Sequence, residues 1–285
     1  MNLPFGARLG EAMRQRGPLC AGIDPHPELL ARAGLGDTVE SLRRFTGTMM
    51  EAVAGRVAAV KPQSAFFERH GAAGIAVLEA LLTDLASVQT LSILDVKRGD
   101  IGSTMTAYAQ AYLDDDAPLA ADAVTLSPYL GFGSLTPALD MAEQSGRGVF
   151  VLALTSNPEG AQVQHRGDPP VVAEILAQVG ERNRAGPLDT GAFGSVGVVV
   201  GANEGATLDR LGLREGLRSC GGAILAPGVG AQGASAADLA TGFTTSAERV
   251  LAPVSRGLLS SGLEVDAVRQ RCRILNAELR ESLCW

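Results

Sequence analysis

Three residues at the end of an apolar run, Asp95, Lys97 and Asp100, form an Asp-x-Lys-x-x-Asp constellation following Leu91-Ser-Ile-Leu. Of the 24 basic residues only two, Lys61 and Lys97, are lysines, and each follows a short apolar stretch. Arginine holds its proton at any physiological pH, whereas an ammonium can give one up. A chain that uses arginine almost everywhere else has kept lysine where strands end, which points to proton chemistry. The competing explanation is an arginine-rich composition in which two lysines survived by chance.

Strand periodicity puts Asp95 and Lys97 on one face and turns Val96 away. Asp100 lies just past the strand, ahead of a helix expected from Ser103, and can fold back or reach outward. Two carboxylates near one ammonium favour its charged form. That argues against a Schiff-base nucleophile, which needs a neutral amine. It suits a lysine that supplies a proton to a developing carbanion. The bland alternative is a surface ion-pair cluster, worth little to stability.

Composition narrows the partners. Net charge is −7 and no basic run occurs, so nucleic acid and anionic membrane are not expected partners. A local cationic pocket for a small anion stays open. Cys20, Cys220, Cys272 and Cys284 are far apart with no Cys-x-x-Cys pair, which reads as reduced thiols rather than a zinc site or disulfide framework. His26, His70 and His165 are equally scattered and suggest no metal cluster, although carboxylates alone could hold magnesium. The first 17 residues carry charges throughout and lack the apolar core of a signal peptide. The expected location is the cytoplasm.

The elements that must position these residues repeat. Aliphatic runs at Leu19–Asp24, Val57–Gln63, Leu91–Lys97, Ala123–Ser127, Val149–Thr155, Val196–Gly201, Ala223–Pro227 and Val250–Ser255 alternate with amphipathic stretches. Eight such units predict a (β/α)8 TIM barrel, a single α/β domain over residues 1–285. A doubly wound open sheet is the alternative. Helices are expected at Thr38–Gly55, Gly74–Ser87, Ser103–Leu113, Ser134–Gln144, Val171–Arg184, Ala206–Arg218, Ser235–Leu239 and Val265–Glu281. An extra helix, Phe5–Arg16, should cover the barrel's bottom. The stretch 156–170 is too long and polar for an ordinary connection; it reads as a lid, an interface element or a surface insertion.

Polar residues gather where the strands stop: Asp24, Lys61 with Gln63, Asp95 with Lys97, Ser127, Thr155 with Asn157, Asn203, and Ser255 with Arg256. A barrel brings all of these to one mouth. Gly228-Val-Gly-Ala-Gln-Gly matches G-x-G-x-x-G formally, but it follows the seventh strand, and the next strand ends in an arginine where a ribose-binding acid would be expected. Backbone N–H groups after strand seven and a guanidinium after strand eight match a barrel phosphate site instead.

Taken together, Asp95-x-Lys97-x-x-Asp100-Ile101, Asp24-Pro-His-Pro, Lys61-Pro-Gln, Ser127-Pro-Tyr-Leu-Gly, Pro227-Gly-Val-Gly-Ala-Gln232 and Arg256 resemble the orotidine 5'-phosphate decarboxylase family, and the long loop after strand five resembles its longer, type 2 bacterial branch. The resemblance implies a homodimeric barrel that decarboxylates orotidine monophosphate to uridine monophosphate, in pyrimidine biosynthesis, with no cofactor and no metal. It implies that Lys97 protonates C6, that Asp95 faces the substrate carboxylate, and that Lys61 extends a Lys-Asp-Lys-Asp array and holds ribose. Asp24 would bind ribose hydroxyls. Asp100, with Ile101 and Thr104, would enter the neighbouring subunit's site. Ser127 would face the pyrimidine amide edge. Gln232 and Arg256 would hold phosphate, with Pro227 and Gly257 completing the substrate-binding set.

Two rivals remain on the sequence alone. A magnesium-dependent sugar-phosphate enzyme of the same superfamily shares the Asp-x-Lys-x-x-Asp strand, but Lys61 is a poor neighbour for a divalent cation. A non-catalytic nucleotide-binding barrel would need the charged array for nothing but recognition.

Overall fold

The strands form at short aliphatic runs buried on both faces. The computed structural model describes residues 3–185, 193–230 and 233–285. Within them are β1 (Leu19–Ile23), β2 (Ala59–Pro62), β3 (Leu91–Arg98), β4 (Ala123–Leu126), β5 (Gly148–Leu154), β6 (Gly194–Val200), β7 (Gly222–Leu225) and β8 (Val250–Val254). All neighbours pair in parallel and β8 returns to β1, which closes the barrel. The open-sheet alternative is thereby excluded.

Alternation along each strand sorts side chains into two cores. Leu94, Val96, Val124 and Leu126 point outward into the layer shared with the helices. Leu91, Ile93, Ala59, Ala123, Phe150 and Leu251 fill the barrel's lower interior. The helix Phe5–Arg16 closes the bottom as the sequence predicts, sending Phe5, Leu9 and Met13 into that inner core. Phe5 meets Phe150 edge-on at 6.0 Å. Arg8 bridges the plug to the barrel through Asp122 at 2.5 Å and the Gly146 carbonyl at 3.0 Å.

Departures from the sequence reading have local causes. The single helix expected over Ala206–Arg218 is two, Gly205–Arg210 and Arg214–Ser219, because Gly212 takes φ +64° between them. The helix expected from Ser134 opens with a tight 3₁₀ turn, Phe132–Leu135, before Thr136–Gln144. Short helices at Pro27–Arg32 and Ala65–Glu68 were too brief to show a helical period. The 156–170 stretch folds on itself: Pro158–Gly160 and Ala161–Gln164 form two turns, and Gln164 reaches back to the end of β5, where its Oε1 accepts from the Thr155 N–H at 2.9 Å.

Candidate active site

The inward rows of β1 to β4 change character with height. Low in the barrel they read Cys20, Ala59, Ile93 and Ala123; one or two inward steps higher they read Asp24, Lys61, Asp95 and Thr125, three of them buried. Period-2 geometry thus brings these four residues to the same mouth.

Asp95 is the centre. Its side chain is 8% exposed, and four donors converge on it. Lys97 Nζ (2.5 Å) and Thr125 Oγ (2.8 Å) donate to Oδ1, while Lys61 Nζ (2.9 Å) and Gln63 Nε2 (3.2 Å) donate to Oδ2. Burial opposes the charge on Asp95, but the two ammonium groups outweigh it and hold the carboxyl well below the usual carboxylate range. Burial likewise opposes the charge on Lys61, and Asp95 with Asp24 reverses the balance, so its ammonium is held above the ordinary lysine range. Beneath them burial pushes the Cys20 thiol up to about 12, leaving it protonated and unreactive.

Lys97 differs from Lys61 in exposure. Its side chain is 45% exposed at the mouth, against 8% for Lys61. Its backbone is left-handed, with φ +46°. Register explains why: Leu94 pairs with Val124 and Arg98 with Leu126, so Asp95, Val96 and Lys97 all stand opposite Thr125 alone. This is a bulge in β3, and it aims two charged side chains at one point.

The sequence leaves Asp100 free to fold back or reach outward, and it does not fold back. Among the described residues it pairs with no cation, and its Oδ1 accepts from the Ile101 N–H at 2.8 Å. One carboxylate of this chain, not two, therefore meets Lys97. Gly99 permits the exit from β3, since a Cβ there would lie 2.3 Å from the Ser127 carbonyl oxygen. Ile101 and Thr104 are exposed at the start of helix Gly102–Leu113. Ser127 follows β4 and donates its N–H to the Arg98 carbonyl at 2.7 Å.

Beside Lys61, Asp24 follows β1 with its Oδ1 buried and unpartnered among the described residues. Pro227 accepts at its carbonyl from the Ala202 N–H at 2.8 Å and leads into a loop in which Gly228, Gly230 and Gly233 all have positive φ, conformations that glycine adopts without strain. Arg256 and Gly257 follow β8, the strand beside β7. Arg256 is exposed and unpaired among the described residues. Gln232 lies outside the described residues.

Reading strand ends missed Thr125, which is 1% exposed and lies one inward step below Ser127. A hydroxyl at an inward position of an otherwise aliphatic strand was the available signal. Arg98 was also passed over; its guanidinium bonds Glu68 at 2.7 Å, which also accepts from Ser64 Oγ at 2.6 Å, bracing the end of β3 against the residues after β2.

The closed barrel with its charged mouth defines an α/β-barrel enzyme. The model of the orotidine 5'-phosphate decarboxylase / HUMPS family matches residues 17–270, and the chain belongs to that family. It is 52% identical over 283 residues to the orotidine 5'-phosphate decarboxylases of Streptomyces coelicolor and Salinispora arenicola, covering 98% of this chain and 98% of each relative. A solved Streptomyces avermitilis structure assigned as an orotidine 5'-phosphate decarboxylase is similar at TM-score 0.92 and 49% identity, covering 100% of this chain and 97% of that one. The orotidine monophosphate decarboxylase structure from Leishmania donovani is similar at TM-score 0.74 and 30% identity, covering 99% and 100%.

Proposed function

We propose that this chain decarboxylates orotidine 5'-phosphate to uridine 5'-phosphate, releasing CO2 and placing a proton on C6, without a cofactor. The observation that carries the reading is Asp95 held between Lys61 and Lys97 at the barrel mouth. Losing CO2 leaves an electron pair at C6 with no adjacent group to spread it. Catalysis must then come from electrostatics and positioning. An ammonium ~4 Å from a unit negative charge is worth about 4 kcal/mol at an effective dielectric near 20. Lys97, the more exposed of the two lysines, is the group that meets the carbanion and gives it a proton. Asp95 faces the leaving carboxylate, and its repulsion helps to the extent that it relaxes as CO2 departs.

The remaining roles follow the strand ends. Asp24, with an oxygen free to accept, takes a ribose hydroxyl, and Lys61 stands beside it. Ser127 serves the pyrimidine edge. Arg256, Gly257, Pro227 and Gln232 surround the phosphate, whose binding energy orients a substrate far from the reacting carbon.

The working unit on this reading is a homodimer with shared sites, each subunit lending Asp100, Ile101 and Thr104 to the other. Supporting it, Ile101 (62%), Tyr129 (77%) and Leu130 (51%) are exposed apolar side chains in the segments that follow β3 and β4. The chain acts as a single barrel domain in the cytoplasm, with 156–170 as an insertion. Its four cysteines are free, and no helix among the described residues is long and apolar enough to cross a membrane.

The test is an absorbance assay with orotidine 5'-phosphate in EDTA. Turnover that survives chelation is expected. Turnover that requires magnesium would favour the metal-dependent sugar-phosphate branch, and binding of uridine 5'-phosphate without turnover would favour a non-catalytic barrel.

A further inference from the structure

The hydroxyl of Thr125 has one proton to donate and two lone pairs to fill. All three are used. It donates to Asp95 Oδ1 at 2.8 Å and accepts from the backbone N–H groups of Val96 at 3.1 Å and Lys97 at 3.0 Å. Because the partner on one side is a carboxylate and on the other are two amides, the direction of every bond is fixed. Thr125 is buried, 1% exposed, so water cannot take the hydroxyl's place without a cavity.

Those two amides belong to the bulge, where three residues of β3 face one residue of β4. A left-handed backbone at a residue with a side chain is uncommon and persists only where surroundings hold it. Lys97 has that backbone, and its own N–H is one of the two held by Thr125. We infer that Thr125 is a positioning residue for the reaction: its hydroxyl pins the β3 bulge and one oxygen of Asp95 together, and so sets where the Lys97 ammonium stands. The inference rests on the decarboxylase reading for its kinetic consequence and on geometry for the rest.

The test pairs Thr125→Val, which keeps shape and removes the hydroxyl, with Thr125→Ser, which keeps the hydroxyl and removes a methyl. For orotidine 5'-phosphate, Thr125→Val should lose ~10–100-fold in kcat, the size expected for hydrogen bonds to charged and buried groups, with KM little changed. Thr125→Ser should stay within about 3-fold of the parent in both parameters. A serine variant as impaired as the valine variant, or a loss confined to KM, would overturn the inference; the serine arm decides even where the valine variant fails to fold. Crystal structures of the parent and Thr125→Val supply a readout without activity. Expected in the variant is a Lys97 φ outside the left-handed region and a Lys97–Asp95 contact opened beyond hydrogen-bond distance. Retention of both would overturn the inference. If the parent itself does not turn over the substrate, the decarboxylase reading fails, and these structures alone decide the role of Thr125.

Discussion

Lys61 and Asp95 form an ion pair at 2.9 Å with both side chains 8% exposed, and the pair is shared with a second ammonium on the opposite oxygen. Charges this far from water are retained only when fully bonded, and removing one partner costs more than the pair contributes. Lys61→Met should therefore destabilise the fold by about 3–5 kcal/mol, measured as a drop in urea or thermal midpoint, besides abolishing turnover. A variant as stable as the parent would contradict the buried-pair account.

Lys97→Ala separates chemistry from stability. Its side chain is 45% exposed, and Asp95 keeps Lys61, Gln63 and Thr125 without it. Stability should change by no more than ~1 kcal/mol, since Lys97 is half-exposed and Asp95 stays bonded to its other donors. The kcat should fall by at least ~10³-fold, since both the proton donor and the charge beside the carbanion go. Near-normal turnover would remove Lys97 from the mechanism.

The array makes stability depend on pH in a defined sense. Asp95 has a lower pKa folded than unfolded, so its contribution is complete above the unfolded value of about 3.9 and is lost as pH falls towards the folded one. Lys61 is raised, so its contribution is complete below about 10.4 and is lost only as pH rises past that. The stability gap between parent and Asp95→Asn should be flat from about pH 5 to 9 and shrink by roughly 1.4 kcal/mol per unit below about pH 3.9. A gap unchanged at pH 3 would show that Asp95 titrates normally.

Arg256→Ala should act on binding. The guanidinium is exposed and unpaired among the described residues, so its loss disturbs little of the fold. The expected result is a KM raised ~10–100-fold by loss of charge-assisted bonds to phosphate, with a smaller effect on kcat. An unchanged KM would take Arg256 out of the phosphate site.

Asp100 is tested by mixing. Lys97→Ala and Asp100→Ala subunits, each inactive alone, should recover part of the parental activity when hybrid dimers form, because one of the two sites then has both residues. No recovery would assign Asp100 to its own subunit's site.

Much of this was written in the sequence, because a barrel translates two simple patterns into place. Alternation located each strand to within a few residues, and reading only the strand ends singled out Asp24, Lys61, Asp95 and Lys97 before any geometry was known. What stayed hidden depends on pairing across strands. Thr125 reads as ordinary strand filler, since threonine suits a strand anyway; only its position opposite the three residues of the bulge gives it significance. The left-handed backbone of Lys97 leaves no mark on composition. The split at Gly212 was visible as a glycine inside an expected helix and was passed over.

Gly99 has a consequence beyond the turn itself. Only hydrogen stands between its backbone and the carbonyl of Ser127, so the height at which the chain leaves β3 is fixed by direct contact with the neighbouring strand. Asp100 and the helix behind it inherit their distance from Lys97 from that contact. On the two-subunit reading, a methyl at position 99 would act as a wedge between the charge a subunit keeps and the charge it sends across, and one added carbon would disturb two pockets at once.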